Sequence, residues 1–368
     1  MTQIQSRCGP AYDGDMTEAV ELAIIGGGVA GLSLAYHLAQ SGQQGIVLLD
    51  REDQSGTYAS GHNAAIARCL TGRDEHTALA VEGRRRLAEA GLLDPCGGLL
   101  LGTTVGALAD HEAEARRHGV TVQLGPGCPL PGLRAAEHLH IPEDGVIDIA
   151  RLLSTCAEGA RAGGVDLRFG CGVTDLRPTA AGFLLQTDQG PLQASRVALA
   201  AGAWAGELGA QAGSQLALTA LRRSLVWSGA THPQDEPWAW WVDRPFYLRP
   251  ESGGLLMCPC EEVAVPLPSR GRQPDADPAV LEGLSASLRE LAPDLLERPI
   301  TRYWTGLRTF APDRRFVLGW DPWNPRLFWS AGLGGHGMTT GLAVGALAAK
   351  AYQRKAETGV LDPGRFRV

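Results

Sequence analysis

The chain has 368 residues, enough for about two domains at the usual ~100 to 200 residues each, and its 44% apolar and 20% charged residues exclude an intrinsically disordered protein. Forty acidic residues outnumber 33 scattered basic ones, so the sequence has no basic footprint for nucleic acid. No apolar run approaches the ~20 residues of a membrane-spanning helix, and the polar N-terminus lacks the core of a signal peptide. We therefore expect a cytoplasmic protein with no integral membrane segment.

Lysine and cysteine usage excludes two further kinds of site. The lysines are Lys350 and Lys355, which rules out a P-loop and disfavours a Schiff-base lysine. The eight cysteines form no Cys-x-x-Cys pair, so we expect buried free thiols and neither a metal site nor a disulfide framework. Cys258 and Cys260 would share one face of an extended strand.

The first predicted elements form a complete dinucleotide-binding unit. A buried strand at Glu21–Ile25 is followed by the turn Gly-Gly-Gly-Val-Ala-Gly at 26–31 and by a helical pattern over 32–40. A second strand, Ile46–Leu49, ends in Asp50. This order of strand, glycine turn, helix, strand and acid is typical of proteins that bind FAD or NAD.

The three glycines and the acid of this unit each have a physical role. Gly26 permits a tight turn, Gly28 lets the backbone approach a pyrophosphate, and Gly31 allows close helix packing. The unpaired amides at the helix N-terminus then face the phosphates. Asp50 can accept hydrogen bonds from ribose hydroxyls. The unit alone leaves the choice between FAD and NAD open.

Five later segments extend the pattern through the chain. They are Thr57–Ala65, Leu199–Trp204, Pro245–Pro250, Tyr303–Asp313 and Phe328–Gly341. In this order and spacing they resemble the D-amino acid oxidase superfamily of flavoenzymes, most closely the bacterial D-arginine dehydrogenase and glycine oxidase type, over about residues 20–350.

The resemblance implies non-covalently bound FAD and an α/β fold. A Rossmann-like FAD-binding domain would be interleaved with an α+β substrate domain that contains an antiparallel sheet. The expected ranges are a flexible tail at 1–18, the FAD-binding domain at 19–80, 145–215 and 305–368, and the substrate-binding domain at 81–144 and 216–304.

The resemblance also implies a set of cofactor contacts. They are Gly26, Gly28, Gly31, Asp50, Arg51, Ser60, Ala64, Ala65, Val173, Ala201, Gly202, Trp204, Gly332, Gly334, Gly335, His336, Gly337, Met338 and Thr339. An apolar helix is predicted from about Thr340 to Ala351, just after the last glycines. Its N-terminal dipole would stabilise negative charge on a reduced flavin.

Four residues are candidates for contact with the substrate. The resemblance makes Arg308 the clamp for the substrate carboxylate, which a guanidinium can hold through both oxygens. Tyr247 matches a position whose hydroxyl reaches the substrate, and His336 is placed near the flavin, where simple packing is the alternative role. Because a strand alternates faces, only one of Arg222 and Arg223 can point inward, and we choose Arg223.

The expected side-chain pocket departs from that of the D-arginine dehydrogenase. His62 stands where relatives commonly have Arg, which puts one loop contact in doubt. Ile66 and Thr71 replace polar residues, and Leu99–Leu101 replaces the region of an acidic one. These residues predict a pocket for a neutral or apolar side chain.

Two other regions carry weaker signals. Trp238, Trp240 and Trp241 either line the substrate pocket or cover the substrate domain. The proline-rich stretch Pro266–Asp277 predicts a loop, and Leu281–Leu295 predicts a helix.

The resemblance implies oxidation of a D-amino acid to an imino acid, and by hydrolysis to a 2-oxo acid, with hydride transfer to flavin N5. The alternatives are a secondary-amine (N-alkylglycine) or 2-hydroxy-acid oxidase or dehydrogenase, or a flavin-binding sensor without turnover. The expected partners are a small-molecule amino acid and an unidentified electron acceptor, either oxygen, a quinone or a carrier.

Overall fold

The computed structural model describes residues 18–367 of the chain. The predicted tail at 1–18 lies outside these residues except for Glu18, which opens the first strand opposite Leu192. No described helix is long and apolar enough to cross a bilayer.

The helices alternate with strands along the chain. The α-helices are α1 (Val29–Gln40), α2 (Asp74–Glu89), α3 (Ala109–His118), α4 (Ile149–Ala162), α5 (Ala205–Gln211), α6 (Ala279–Leu291) and α7 (Gly337–Tyr352). Short 3-10 helices lie at Gly202–Trp204, Pro293–Leu295, Gly359–Leu361 and Pro363–Phe366.

The strands form two large sheets and one small one. In chain order they are β1 (Glu18–Ile25), β2 (Ile46–Leu49), β3 (Ile66–Ala67), β4 (Leu93–Asp94), β5 (Gly98–Gly102), β6 (Gln123–Pro126), β7 (Glu137–Ile141), β8 (Gly145–Ile147), β9 (Asp166–Arg168), β10 (Val173–Pro178), β11 (Phe183–Thr187), β12 (Gly190–Leu199), β13 (Thr219–Ser228), β14 (Trp238–Trp241), β15 (Phe246–Glu251), β16 (Gly254–Cys258), β17 (Val263–Ala264), β18 (Arg302–Phe310), β19 (Val317–Trp320) and β20 (Leu327–Ala331).

The first large sheet has eight strands in the order β10-β11-β12-β1-β2-β9, with β20 beside β12 and β19 beside β20. Its central pairs are parallel. Leu22 and Ile24 of β1 point into a core shared with α1, α4 and α7, whereas Ala23 and Ile25 point into the core on the other face. This arrangement, with both faces of a parallel sheet covered, confirms the Rossmann-like fold class.

The second large sheet has nine strands in the order β17-β13-β16-β15-β14-β5-β7-β6, with β18 also beside β13. All its pairs are antiparallel except β14 with β5. The pairing of β13 with β18 runs from Thr219 opposite Phe310 to Trp227 opposite Arg302. The predicted antiparallel sheet is therefore confirmed, and the proposed domain boundary at residue 305 falls inside β18.

Three predicted elements differ in extent. The helix predicted over 32–40 already begins at Val29, and the one predicted from Thr340 begins at Gly337. The helix predicted over 281–295 ends at Leu291, and a 3-10 turn follows from Pro293, because proline cannot donate the hydrogen bond that would continue the helix. The stretch Pro266–Asp277 is a loop, as predicted.

Candidate active site

The turn between β1 and α1 is built so that only glycine fits. Gly26 has a φ of +115°, and a Cβ there would lie 2.4 Å from the carbonyl oxygen of Ala200. A Cβ on Gly31 would lie 1.9 Å from the carbonyl oxygen of Gly26. Gly31 thus lets α1 pack closely against the turn, which is the role predicted for it. It does not line either of the cavities described below.

The N-terminus of α1 opens into a cleft. Gly28 occupies the cap position, and the amide of Val29 donates to Ser60 Oγ at 2.9 Å. A Cβ on Gly28 would reach within 3.0 Å of the same Ser60 hydroxyl. Ser60 therefore lies directly over the helix N-terminus, where a phosphate could approach the amides.

Asp50 closes the edge of this turn. Its Oδ2 accepts a hydrogen bond from Gly27 N at 2.5 Å, and its Oδ1 accepts one from Glu52 N at 2.8 Å. Burial raises the pKa of Asp50, although both amide hydrogen bonds act in the opposite direction. The two amide hydrogen bonds fix the carboxylate of Asp50. Its remaining lone pairs can accept hydrogen bonds from the hydroxyl groups of a ligand.

Arg51 forms a stacked wall with two aromatic rings. Its guanidinium lies 3.8 Å from the Trp204 ring centre and 4.9 Å from that of Tyr58. It also donates to the Tyr58 hydroxyl at 2.6 Å, and that hydroxyl donates to Glu52 at 2.5 Å. Sequence reasoning missed Tyr58, although it lies inside the small-residue segment after β2.

These features line a cleft of about 390 Å³ that runs from the β1–α1 turn to the glycine loop before α7. Most predicted cofactor residues lie in its wall: Gly26, Gly28, Asp50, Arg51, Ser60, Val173, Ala201, Gly202, Trp204, Gly332, Gly334, Gly335, Gly337 and Met338. Glycines that admit close backbone approach, helix amides and a fixed carboxylate are the groups a dinucleotide needs, so the cleft fits FAD.

The glycine loop at the far end of the cleft is held against β18. Gly332, Gly334 and Gly335 have φ values of 69°, 51° and 93°, and a Cβ on Gly334 would lie 2.8 Å from the Phe310 ring. The amide of Gly334 donates to Thr309 O at 3.0 Å. The loop thereby brings the N-terminus of α7 to the cleft.

A second cavity of about 280 Å³ adjoins the cleft, and it is lined by four of the five remaining predicted residues, Ala64, Ala65, His336 and Thr339, whereas Gly31 lines neither cavity. Thr339 Oγ1 donates to Ile66 O at 3.1 Å and accepts from Arg68 N at 3.4 Å. Its hydroxyl thus joins α7 to β3.

Arg308 lies at the junction of the two cavities and lines both. Its Nη2 donates to His62 O at 2.9 Å and its Nη1 to Leu307 O at 3.1 Å. Burial lowers its pKa, yet no carboxylate of residues 18–367 forms an ion pair with it. A buried guanidinium held only by carbonyls is ready to receive an anion.

Tyr247 and Arg223 lie in the wall of the second cavity. The Tyr247 ring stacks on Trp240 with centroids 4.3 Å apart, and burial raises the Tyr247 pKa, so the hydroxyl keeps its proton. Arg223 pairs with Glu262 at 2.8 Å. Arg222 leaves the strand on the other face and pairs with Asp277 at 2.8 Å.

His336 caps α7 and faces the second cavity. Burial and the nearby positive charges of Arg68 and Arg223 lower the pKa of His336 well below its usual value. The ring centroid of His76 lies 5.9 Å away. These effects favour a neutral imidazole, which can accept a hydrogen bond.

The residues on which the prediction of a neutral or apolar side-chain pocket rested do not all reach the cavity, so that pocket stays a prediction. Leu99–Leu101 is buried in the interior of β5, packed into two cores, and does not reach the cavity. Ile66 and Thr71 do line the cavity, but they share it with five arginines that come from separate segments of the chain: Arg68, Arg73, Arg223, Arg308 and Arg314.

The tryptophan cluster divides between the two predicted roles. Trp238 and Trp241 are fully buried in cores, whereas Trp240 lines the second cavity. β16 ends at Cys258, and Cys260 has a φ of 55°, so the two thiols are not on one extended strand as predicted.

The seven described cysteines are free, as expected, but Cys96, Cys128 and Cys260 are only half-buried. Within residues 18–367, no group of three or more His, Cys, Asp and Glu side chains could hold a metal ion.

Comparison with known proteins decides the family. The family described as FAD dependent oxidoreductase matches residues 21–351. The chain belongs to this family. Glycine oxidase of Geobacillus kaustophilus is 27% identical over 95% of this chain and 97% of its own length. Its crystal structure superposes with a TM-score of 0.81 at 24% identity, covering 95% of this chain and 99% of that one.

Two further proteins are similar to the chain, one in fold and one in sequence. The structure of L-proline dehydrogenase from P. horikoshii has a TM-score of 0.84 at 20% identity, over 96% of this chain and 99% of that one. Mitochondrial dimethylglycine dehydrogenase of Rattus norvegicus is 28% identical over 84% of this chain but only 40% of its own length.

This FAD-dependent oxidoreductase therefore has FAD as its cofactor. Its relatives are named as oxidases and dehydrogenases, and it is accordingly an enzyme of that class.

Proposed function

We propose that this oxidoreductase oxidises the amine of a small amino acid or N-alkylglycine. The observation that carries the proposal is the position of Arg308, buried where the cofactor cleft meets the second cavity and paired with no described carboxylate. A guanidinium there can hold a substrate carboxylate through both oxygens and so orient the adjacent carbon toward the cleft.

The other candidate residues would complete this orientation. The protonated Tyr247 hydroxyl can donate to a substrate oxygen, and neutral His336 can accept a hydrogen bond from the substrate amine. Arg223, tied to Glu262, adds positive potential to the same wall. Together these groups select a compound that carries an acid group beside an amine.

The cofactor would be held non-covalently by the fourteen predicted residues in the cleft wall, with the glycine turn and α1 amides at the pyrophosphate and Asp50 at the ribose. FAD, when bound, accepts the two electrons and the hydrogen removed from the substrate carbon. The protein itself need supply no strong base, because a substrate amine that enters neutral already carries the electron pair that forms the C=N bond. Water then hydrolyses the imine to a 2-oxo compound and an amine or ammonia.

Different observations support the D-amino acid and the N-alkylglycine as substrates. The D-amino acid stays a prediction from the sequence resemblance. An N-alkylglycine is favoured by the relatives named dimethylglycine dehydrogenase and sarcosine dehydrogenase. A sensor without turnover would have no use for a carboxylate clamp, so Arg308 argues against it.

Anaerobic reduction of the bound flavin tests the proposal. D- and L-amino acids, N-alkylglycines and 2-hydroxy acids are added separately to the FAD-loaded protein, and the loss of absorbance near 450 nm is followed. We expect an amine with a neighbouring carboxylate to reduce the flavin fastest. Reduction by 2-hydroxy acids alone, or by none of these compounds, would contradict the proposal.

A further inference from the structure

The second cavity contains more positive charge than one carboxylate can neutralise. Five arginines and one glutamate lie in its wall. Glu262 is already engaged by Arg223 at 2.8 Å and by Arg314 at 2.7 Å. The proposed function assigns Arg308 to the substrate carboxylate. Arg68 and Arg73 are left without an assigned anion.

Arg68 is held in a defined position. It directly follows β3, and its backbone amide donates to Thr339 Oγ1. Its guanidinium lies 4.1 Å from the centre of the Trp240 ring. Stacking on an aromatic face fixes the plane of the guanidinium and leaves its N–H groups directed outward at the ring edge.

The described residues offer Arg68 no anion. In the range 18–367 its guanidinium forms neither a hydrogen bond nor an ion pair, although it lines the cavity. The buried Glu114 accepts hydrogen bonds from Gly72 N and the Thr77 hydroxyl, and Asp144 pairs with Arg84 at 3.3 Å. Arg68 is half-buried, so it loses part of its hydration without gaining a partner, and a bound anion would compensate for that loss.

Arg73 adds a second cation at the same wall. It is the cap residue of α2, half-buried, and its side chain has no ion-pair partner among the described residues. Arg68 and Arg73 lie five positions apart in the chain, whereas Arg308 enters the cavity from β18. The cavity therefore receives cations from two different parts of the fold.

We propose that the substrate carries a second acidic group, which Arg68 binds with Arg73 beside it, while Arg308 binds the carboxylate next to the amine. The proposal rests on the proposed function for the assignment of Arg308. A carboxylate or a phosphonate would satisfy the site, since a guanidinium binds either through two oxygens.

Isothermal titration of the FAD-loaded protein with ligands that cannot be oxidised tests this subsite without turnover. Succinate has two acid groups, and succinamate has one of them replaced by a neutral amide of similar shape. We expect succinate to bind at least tenfold more tightly. The Arg68→Met variant should abolish that preference and leave succinamate binding within twofold. Equal affinities in the wild type would overturn the proposal.

Variants matched for charge make the result specific. Arg161→Met removes one exposed guanidinium from α4 and should preserve the tenfold preference. Arg68→Lys should retain part of it. If Arg68→Met does not fold with FAD, the Arg73→Met variant should weaken succinate binding at least threefold, and an unchanged constant there would contradict the subsite.

Flavin reduction distinguishes the proposed amine oxidation from the proposed subsite for a second acidic group. D- and L-aspartate should reduce the flavin at lower concentrations than the matching asparagines. If succinate is preferred but no amine reduces the flavin, the subsite stands and the proposed function fails. If asparagine and aspartate act equally and succinate is not preferred, the function stands and the subsite fails. Comparing 3-phosphonopropionate with succinate then shows which acid group fits better.

Discussion

Arg308 donates a 2.9 Å hydrogen bond to the backbone carbonyl of His62 and thereby joins strand β18 of the second sheet to the segment that follows β2 of the first. With Leu307 O as the second acceptor, two carbonyls fix the guanidinium where the cleft and the second cavity meet. Because these acceptors are neutral, the positive charge is left for a ligand.

The Arg308→Leu variant should lose substrate affinity and keep FAD. Removing a charge-assisted, two-oxygen contact costs about 3 kcal/mol, which corresponds to a roughly 100-fold higher apparent substrate constant. Steady-state kinetics with the best substrate measures this effect. Arg302→Leu, an exposed position on the same strand, serves as the control and should change little. An unchanged constant for Arg308→Leu would remove this residue from the site.

The Gly31→Ala variant should fail to assemble the cofactor cleft. Its Cβ would lie 1.9 Å from Gly26 O, so the turn or the helix must move away from the phosphate-binding position. We expect a FAD content below about a tenth of the wild type, measured from the ratio of absorbance at 450 and 280 nm. Gly283→Ala, where a Cβ has no described neighbour within 4 Å, should retain full flavin. Normal flavin content in Gly31→Ala would contradict this packing role.

Substitution of Thr339 tests whether its hydroxyl stabilises the fold or contacts the cofactor. Thr339→Val removes the hydroxyl that bonds Ile66 O and Arg68 N, and it should lower the free energy of unfolding by about 1–2 kcal/mol. The dissociation constant of FAD should stay within twofold. Thr339→Ser keeps the hydroxyl and should recover most of the stability. A large loss of FAD affinity with unchanged stability would instead assign Thr339 to the cofactor, as the sequence resemblance implied.

The sequence predicted the parts of the site that depend on local pattern. The glycine turn and Asp50 follow from a strand, helix and strand in fixed order, and Arg308 lies in a recognisable segment. The cluster of arginines in the second cavity could not be predicted in this way, because Arg68 follows β3 and Arg73 caps α2. Only tertiary packing brings these side chains to the cavity that β13 and β18 also line. Leu99–Leu101 misled the prediction because a buried strand and an apolar pocket have the same composition.

His37 should make the fold sensitive to acid. Burial, followed by the positive charge of Arg86, lowers its pKa to about 4, compared with 6.5 for a free imidazole. The native state therefore favours neutral His37. Its contribution to the free energy of unfolding is fully present above pH 6.5 and is lost as the pH falls toward 4. With solvent screening of a partly exposed ring, the loss is about 2 kcal/mol.

Urea unfolding from pH 8 to pH 4 measures this effect. His37→Gln can still donate to Leu342 O and should make the decline between pH 6.5 and 4 smaller by about 2 kcal/mol, while the buried His76, whose pKa is also lowered to about 4, keeps its own share. His118→Gln, which alters a surface pair with Asp74, should not flatten it. A decline of the same size in His37→Gln as in the wild type would show that another group causes it.

His336 should contribute contacts but no ionisation to the reaction. Burial lowers the pKa of His336 well below its usual value and so favours the neutral imidazole. His336→Gln is expected to lower kcat/KM while leaving the shape of its pH profile unchanged. If the wild type shows an acidic limb between pH 6 and 7 that His336→Gln removes, then His336 titrates during turnover and this assignment is wrong.

We propose that FAD lies in the cleft and that Arg308 holds an acid group of the substrate beside it. The most direct measurement is anaerobic stopped-flow reduction of the bound flavin by the fastest amino acid found in the substrate panel and by the α-amide of that amino acid. We expect the amide, which has lost only the carboxylate charge, to reduce the flavin about 100-fold less efficiently. Equal efficiency for the acid and its amide, or a purified protein that takes up no flavin, would contradict it.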